Sequence, residues 1–125
     1  MVSYNILQVI YLKKKIKMAN NYKFKGVALA TTDETALLAA GSSETIIIKS
    51  IRVTNNTTNT PTISMDVADS SASAEYTILR TQTLSANTAV EILSVPLVLE
   101  PSDSLKATMS ATDSTHISIT YMSVT

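Results

Sequence analysis

After residue 20, apolar and polar side chains alternate along the chain with a period of two, the pattern of strands that bury one face. In residues 62–67, Ile63, Met65 and Val67 share one face, and Thr62, Ser64 and Asp66 share the other. The same alternation puts Val95, Leu97 and Leu99 inward in residues 95–99, and Leu105, Ala107 and Met109 inward in residues 104–109. In the final segment the inward set is Ile117, Ile119 and Tyr121. Residues 22–29, 76–82 and 88–93 do not hold one phase throughout, as expected of strands that lie at a sheet edge or carry a bulge.

Residues 45–55 are the most apolar stretch, with Ile46, Ile47 and Ile48 followed by Ile51 and Val53. The pattern slips at Lys49-Ser50. Either a β-bulge restores the phase there, or Ile47, Ile51 and Val53 face inward with Lys49 at an edge. Loops fall at residues 55–60, 69–75, 85–87, 101–103 and 111–115, which are rich in Asn, Asp, Ser and Pro. Only Gly26 and Gly41 are available for tight turns, which favours longer connections between two sheets. Residues 32–41 read either as a capped two-turn helix ending at Gly41 or as strand, turn and strand. Eight or nine short strands with at most one short helix predict an all-β fold, an antiparallel β-sandwich with the jelly roll as its specific variant.

The length of 125 residues suits one domain, placed at residues 18–125. Residues 1–17 differ in composition, being rich in lysine and isoleucine. Their apolar run of about eleven residues is too short to cross a bilayer, which takes about twenty, and its lysines follow rather than precede it, unlike a secretory signal. The segment reads either as an upstream extension ahead of a true start at Met18, or as an arm that adds to a neighbouring subunit.

Charge sharpens that boundary. The net charge of zero divides into six lysines and no acid in residues 1–25, against four basic and ten acidic residues in 26–125. An acidic body repels phosphate, and Lys13, Lys14, Lys15 and Lys17 are too few for specific nucleic-acid recognition. Serine and threonine supply 34 residues while charged residues make up 16%, so the surface is polar but weakly charged. There is no cysteine and one histidine, His116, which removes disulfides, thiolate sites, cysteine nucleophiles and multi-histidine metal centres. The expectation is a structural or binding module, not an enzyme, with no cofactor and no metal.

Four local patterns carry possible chemistry. Asp113-Ser114-Thr115-His116 holds the residue types of a serine triad, but neighbours on one loop do not easily converge, and the plainer reading is a polar turn. Asp66, Asp69, Ser71, Ser73 and Glu75 offer oxygens at alternating spacing but lack the glycine of a calcium loop; Glu100 with Asp103 is read in the same way, as solvated loop. Asn55-Asn56-Thr57-Thr58 contains two overlapping glycosylation patterns and reads more simply as a turn. Tyr22 and Phe24, two apart with Lys23 and Lys25 opposite, form either a core pair or an aromatic contact strip at a subunit boundary.

From Met18 onward the chain resembles small virion structural proteins of tailed bacteriophages, particularly those of marine hosts. The resemblance is carried by MANNYKFKGVALATTDETALLAAGSSETIIIKSIRVTNNT, above all IIIKSIRVTNNT at residues 46–57, followed by PTISMDV. It implies a β-sandwich that assembles on the head, neck or tail without doing chemistry. The leading expectation is a capsid decoration, or cement, protein that binds the major capsid protein lattice, as a homo-oligomer in the virion, assembled in the host cytoplasm without specific nucleic acid or membrane. The alternatives are a neck or tail adaptor, a fibre-associated module, or a carbohydrate-binding module.

Overall fold

The computed structural model describes residues 21–125; the 1–17 extension and the start at Met18 lie outside the described residues. Among these there are nine strands and no helix: β1 (Asn21–Leu29), β2 (Thr35–Ala39), β3 (Thr45–Asn55), β4 (Thr62–Asp69), β5 (Ala74–Thr83), β6 (Ala89–Glu91), β7 (Leu97–Leu99), β8 (Ser104–Met109) and β9 (Thr115–Val124). They form two antiparallel sheets. The first runs β1-β9-β3-β6, with β7 also paired to β3, and the second runs β2-β8-β4-β5.

The connectivity is a nested hairpin rolled into a sandwich. Strand β1 pairs with β9, β2 with β8, β3 with both β6 and β7, and β4 with β5, so the pairs close from the middle of the chain outward. Rolling that long hairpin adds the β3–β9 and β4–β8 pairings. This is the jelly-roll arrangement, with β6 and β7 sharing the place of one strand.

A bulge explains that split. The β3–β9 register shifts between Ile48 and Ser50, so Ile46 and Ile48 before it, and Ile51 and Val53 after it, all face the core. Of the two readings of Lys49-Ser50, the bulge is therefore the one that occurs. Strand β7 pairs with residues 46–48 and β6 with residues 52–54, on either side of the disruption. Pro96, which has no N–H to give a ladder, sits just ahead of β7.

The core lies between the sheets. The first sheet contributes Ile46, Ile48, Ile51, Val53, Ile117 and Ile119, and the second contributes Leu37, Leu38, Ile63, Met65, Leu105 and Met109. Each fully buried aliphatic side chain of this size contributes about 1.5–3 kcal/mol.

Of the two readings of residues 32–41, the strand is the one that occurs: residues 35–39 are strand β2, its register against β8 shifts between Ala36 and Leu38, and that irregularity lets consecutive Leu37 and Leu38 both be buried. One expectation needs correction. Val95 is not inward but 68% exposed, because the chain joins β3 only from Leu97. The out-of-phase segments are edge strands as expected: β1 and β6 border the first sheet, and β5 borders the second with two register shifts.

Candidate functional site

The two outer faces of the sandwich differ in chemistry. On the second sheet the outward positions of β4 and β8 are Thr62, Ser64, Asp66 and Ala68 beside Ser104, Lys106 and Thr108, all small or polar. On the first sheet a row of apolar residues crosses four strands in register. Tyr22 of β1 stands beside Met122 of β9, Met122 beside Ile47 of β3, and Ile47 beside Val98 of β7. Tyr22 is 70% exposed and Val98 50%, while Met122 and Ile47 are half-buried between them.

Phe24 extends this surface along β1 and is 68% exposed. Tyr22 and Phe24 are thus not a core pair. Alternation places the even residues of β1 outward, and an edge strand has a neighbour on one side only to cover them. Beyond Phe24, Gly26 and Ala28 with His116 and Ser118 of β9 line an open notch of about 330 Å³. Lys23 and Lys25 take the opposite face of β1 and are also exposed, the inward-pointing charge that discourages another sheet from adding to an edge.

Glu91 secures the bulge beside this face. Its carboxylate accepts from the Ser50 hydroxyl, the Ile51 N–H at 2.8 Å and the Leu93 N–H at 3.2 Å. Burial opposes its charge, but these three donors outweigh burial and hold the carboxyl below the usual glutamate range. Glu44 is held low in the same way, by the Ser123 hydroxyl and the Gly41 N–H.

The remaining candidates are engaged in building loops. Asp103 is buried, accepting from the Ser70 N–H at 2.9 Å and the Glu100 N–H at 3.0 Å, so it ties two loops together. Asp69 turns to Ser71 and the Ala72 N–H, which lowers its pKa through those bonds, the Ser71 hydroxyl first. Of the carboxylates in the suggested oxygen set, Asp66 and Glu75 come together, and their third member is Glu34, which the spacing did not suggest. The Lys106 ammonium lies 3.0 Å from Glu75 and 3.4 Å from Glu34, offsetting one of the cluster's three negative charges. Its own pKa is raised by hydrogen bonds to Glu75 and Glu34.

Asp113 accepts from the Asn59 amide at 2.7 Å, while His116 is exposed on the outer side of β9; Thr115 is buried. Asn55, within the glycosylation pattern, is 1% exposed. Its amide nitrogen shares two hydrogens among the carbonyls of Asn59, Leu84 and Ser85, and its oxygen accepts from the Thr57 N–H and hydroxyl. The turn reading of that segment is the structural one, fastened by a buried asparagine whose burial its polar neighbours concealed.

No protein-family model and no curated protein matches the sequence. Solved structures match the fold at low identity. One is of Bacillus endospore appendages, a family of disulfide-linked pili, with TM-score 0.55, 10% identity, and coverage of 86% of this chain and 88% of that one. Another is of infectious bursal disease virus, Gx strain, with TM-score 0.52, 9% identity and 84% of this chain covered. A third is of T=1 particles derived from infectious bursal virus, with TM-score 0.51, 9% identity and 84% of this chain covered. The chain spans 32% and 31% of the two viral proteins. At such identities the likeness is one of fold: an antiparallel β-sandwich of the kind that these pilus and particle structures contain.

Proposed function

We propose that this chain is a non-enzymatic virion structural protein, a capsid decoration protein that seats on the major capsid protein lattice as a homo-oligomer. The observation that supports it is the contrast between the two sheets: one outer face is small and polar, the other carries Tyr22, Phe24, Ile47, Val98 and Met122. Contiguous exposed apolar surface on a small protein marks a contact site, and aromatic and methionine side chains are enriched in such contacts. Burial at that face would supply the binding energy. The Ser/Thr-rich surroundings suit packing, since they lose less side-chain entropy than Lys or Glu when ordered.

The test is quantitative peptide mass spectrometry on purified virus particles from the source. A copy number comparable to the major capsid protein supports decoration. A far lower number moves the protein to the neck or tail, and its absence from particles defeats the virion reading. A carbohydrate-binding role has one favourable observation, the exposed pair Tyr22 and Phe24 on one face, since sugars stack on rings. Glycan-array binding that is lost in Y22A would support it.

A further inference from the structure

The first sheet is nearly bare of carboxylates. Of the ten acidic residues in the chain, one, Glu91, lies on a strand of that sheet. It is engaged by the Ser50, Ile51 and Leu93 donors and stands across from Arg52 in the β3–β6 register. The outward residues of β1 and β9, from Tyr22 and Phe24 to Ser118, Thr120 and Met122, include no Asp, Glu, Lys or Arg. Charge is depleted from the cores of protein interfaces, because a buried charge must give up its water.

The size of this face is that of a reversible contact. Four strands about 4.8 Å apart make it about 19 Å wide, and the ten residues of β9, at about 3.4 Å each, run its length, giving roughly 600 Å². A specific interface needs about 1,000 Å² over both partners, and a standard one buries about 800 Å² on each. A flat sheet is matched by another flat sheet packed about 10 Å away, and a second copy presents the same one. Its approach meets no net repulsion, since the formal net charge of the chain is zero. Growth along the sheet edge is instead discouraged by Lys23 and Lys25 on the inner side of β1.

We propose that two copies of the chain pack the outer faces of their first sheets together about a two-fold axis, the Tyr22–Met122–Ile47–Val98 row of each against the same face of the other, as a reversible dimer in solution. An isologous contact of this kind closes on itself, so association stops at two. The inference rests on reading this face as a contact surface and names its occupant when no lattice is present. Seating on a lattice then exchanges the second copy for the lattice surface.

Sedimentation velocity of the full-length chain, from low to high micromolar concentration, tests this. The expected result is a monomer–dimer equilibrium with no larger species. Val98 and Tyr22 are 50% and 70% exposed, so V98D and Y22D leave the core intact, and circular dichroism checks that each is folded. Each substitution places two like charges in the dimer, so Kd should rise at least about tenfold. A36D, on the exposed face of β2 across from Lys106 in the second sheet, should leave Kd unchanged. A monomer at every concentration would overturn the proposal, as would species larger than a dimer. A dimer equally tight in V98D and Y22D, or one weakened as much by A36D, would place the contact elsewhere and overturn it too. Failure of this test leaves the particle copy number untouched, so the two readings fall separately.

Discussion

The ring of Phe24 leans along β1 over Gly26, with its Cε1 atom 3.4 Å from the point where a side chain on Gly26 would begin. Glycine weakens a strand by leaving its surface unfilled, and here an aromatic neighbour two residues away covers the gap. The pair shapes the notch next to the apolar row.

Replacing Gly26 by valine should therefore separate contact from folding. The larger side chain displaces the ring, while the strand gains β-propensity, so thermal stability should stay within about 1 kcal/mol of the parent. Incorporation into particles, followed by competition between G26V and the parent, should fall. Equal incorporation would show that this end of the face makes no contact.

Asn55 offers the reverse case, a residue with structural work alone. N55A leaves the three carbonyls and the Thr57 donors without their partner, and should cost about 1–3 kcal/mol. N55D sets a carboxylate against the same three carbonyls and should cost more, about 2–4 kcal/mol. Urea titration of both variants, with an unchanged slope, is the measurement.

Acid should loosen the bulge. Glu91 and Glu44 have folded-state pKa values below their ordinary value of 4.5, so their contribution is fully present above that value. It is lost as the pH falls through the folded values. Thermal unfolding followed downward from pH 6 should show the midpoint decline only below about pH 4.5. In E91Q that decline should be shallower and start from a lower midpoint.

Ile119 is fully buried in β9, between β1 and β3. I119D puts an unpaired charge there, at a cost comparable with the roughly 5–15 kcal/mol stability of a small domain. Circular dichroism should show an unfolded chain; a folded variant would mean that this face of β9 is not the inner one.

The strands whose period-two pattern is unbroken were legible because one face of each meets the core, as in Ile63, Met65 and Val67. Where a bulge intervenes, local pattern alone leaves two answers: at Lys49-Ser50 both readings kept a strand, and at Leu37-Leu38 two consecutive apolar residues also suited a short helix. Only pairing with β8 decides the latter. The candidate face was half legible. Tyr22 and Phe24 stood out by type and spacing, but Met122, Ile47 and Val98 belong to three other strands, and a row across strands becomes visible only once the registers are known. The Glu34 contribution to the acidic cluster was hidden for the same reason, being far in sequence from Asp66 and Glu75.

The nested pairing also governs when the protein can exist. Strand β9 is the last of the nine described strands in chain order, yet it lies between β1 and β3 and is the partner of both. A chain still emerging from the ribosome can close β4 on β5 and then β2 and β4 on β8, but its first sheet has no centre. Such non-local closure is slow, on the order of milliseconds to seconds for all-β domains. A chain halted before β9 would thus be not a slightly shortened subunit but one whose most apolar strand, β3, keeps β6 and β7 on one side and leaves its other edge open, a species for proteases and chaperones to intercept.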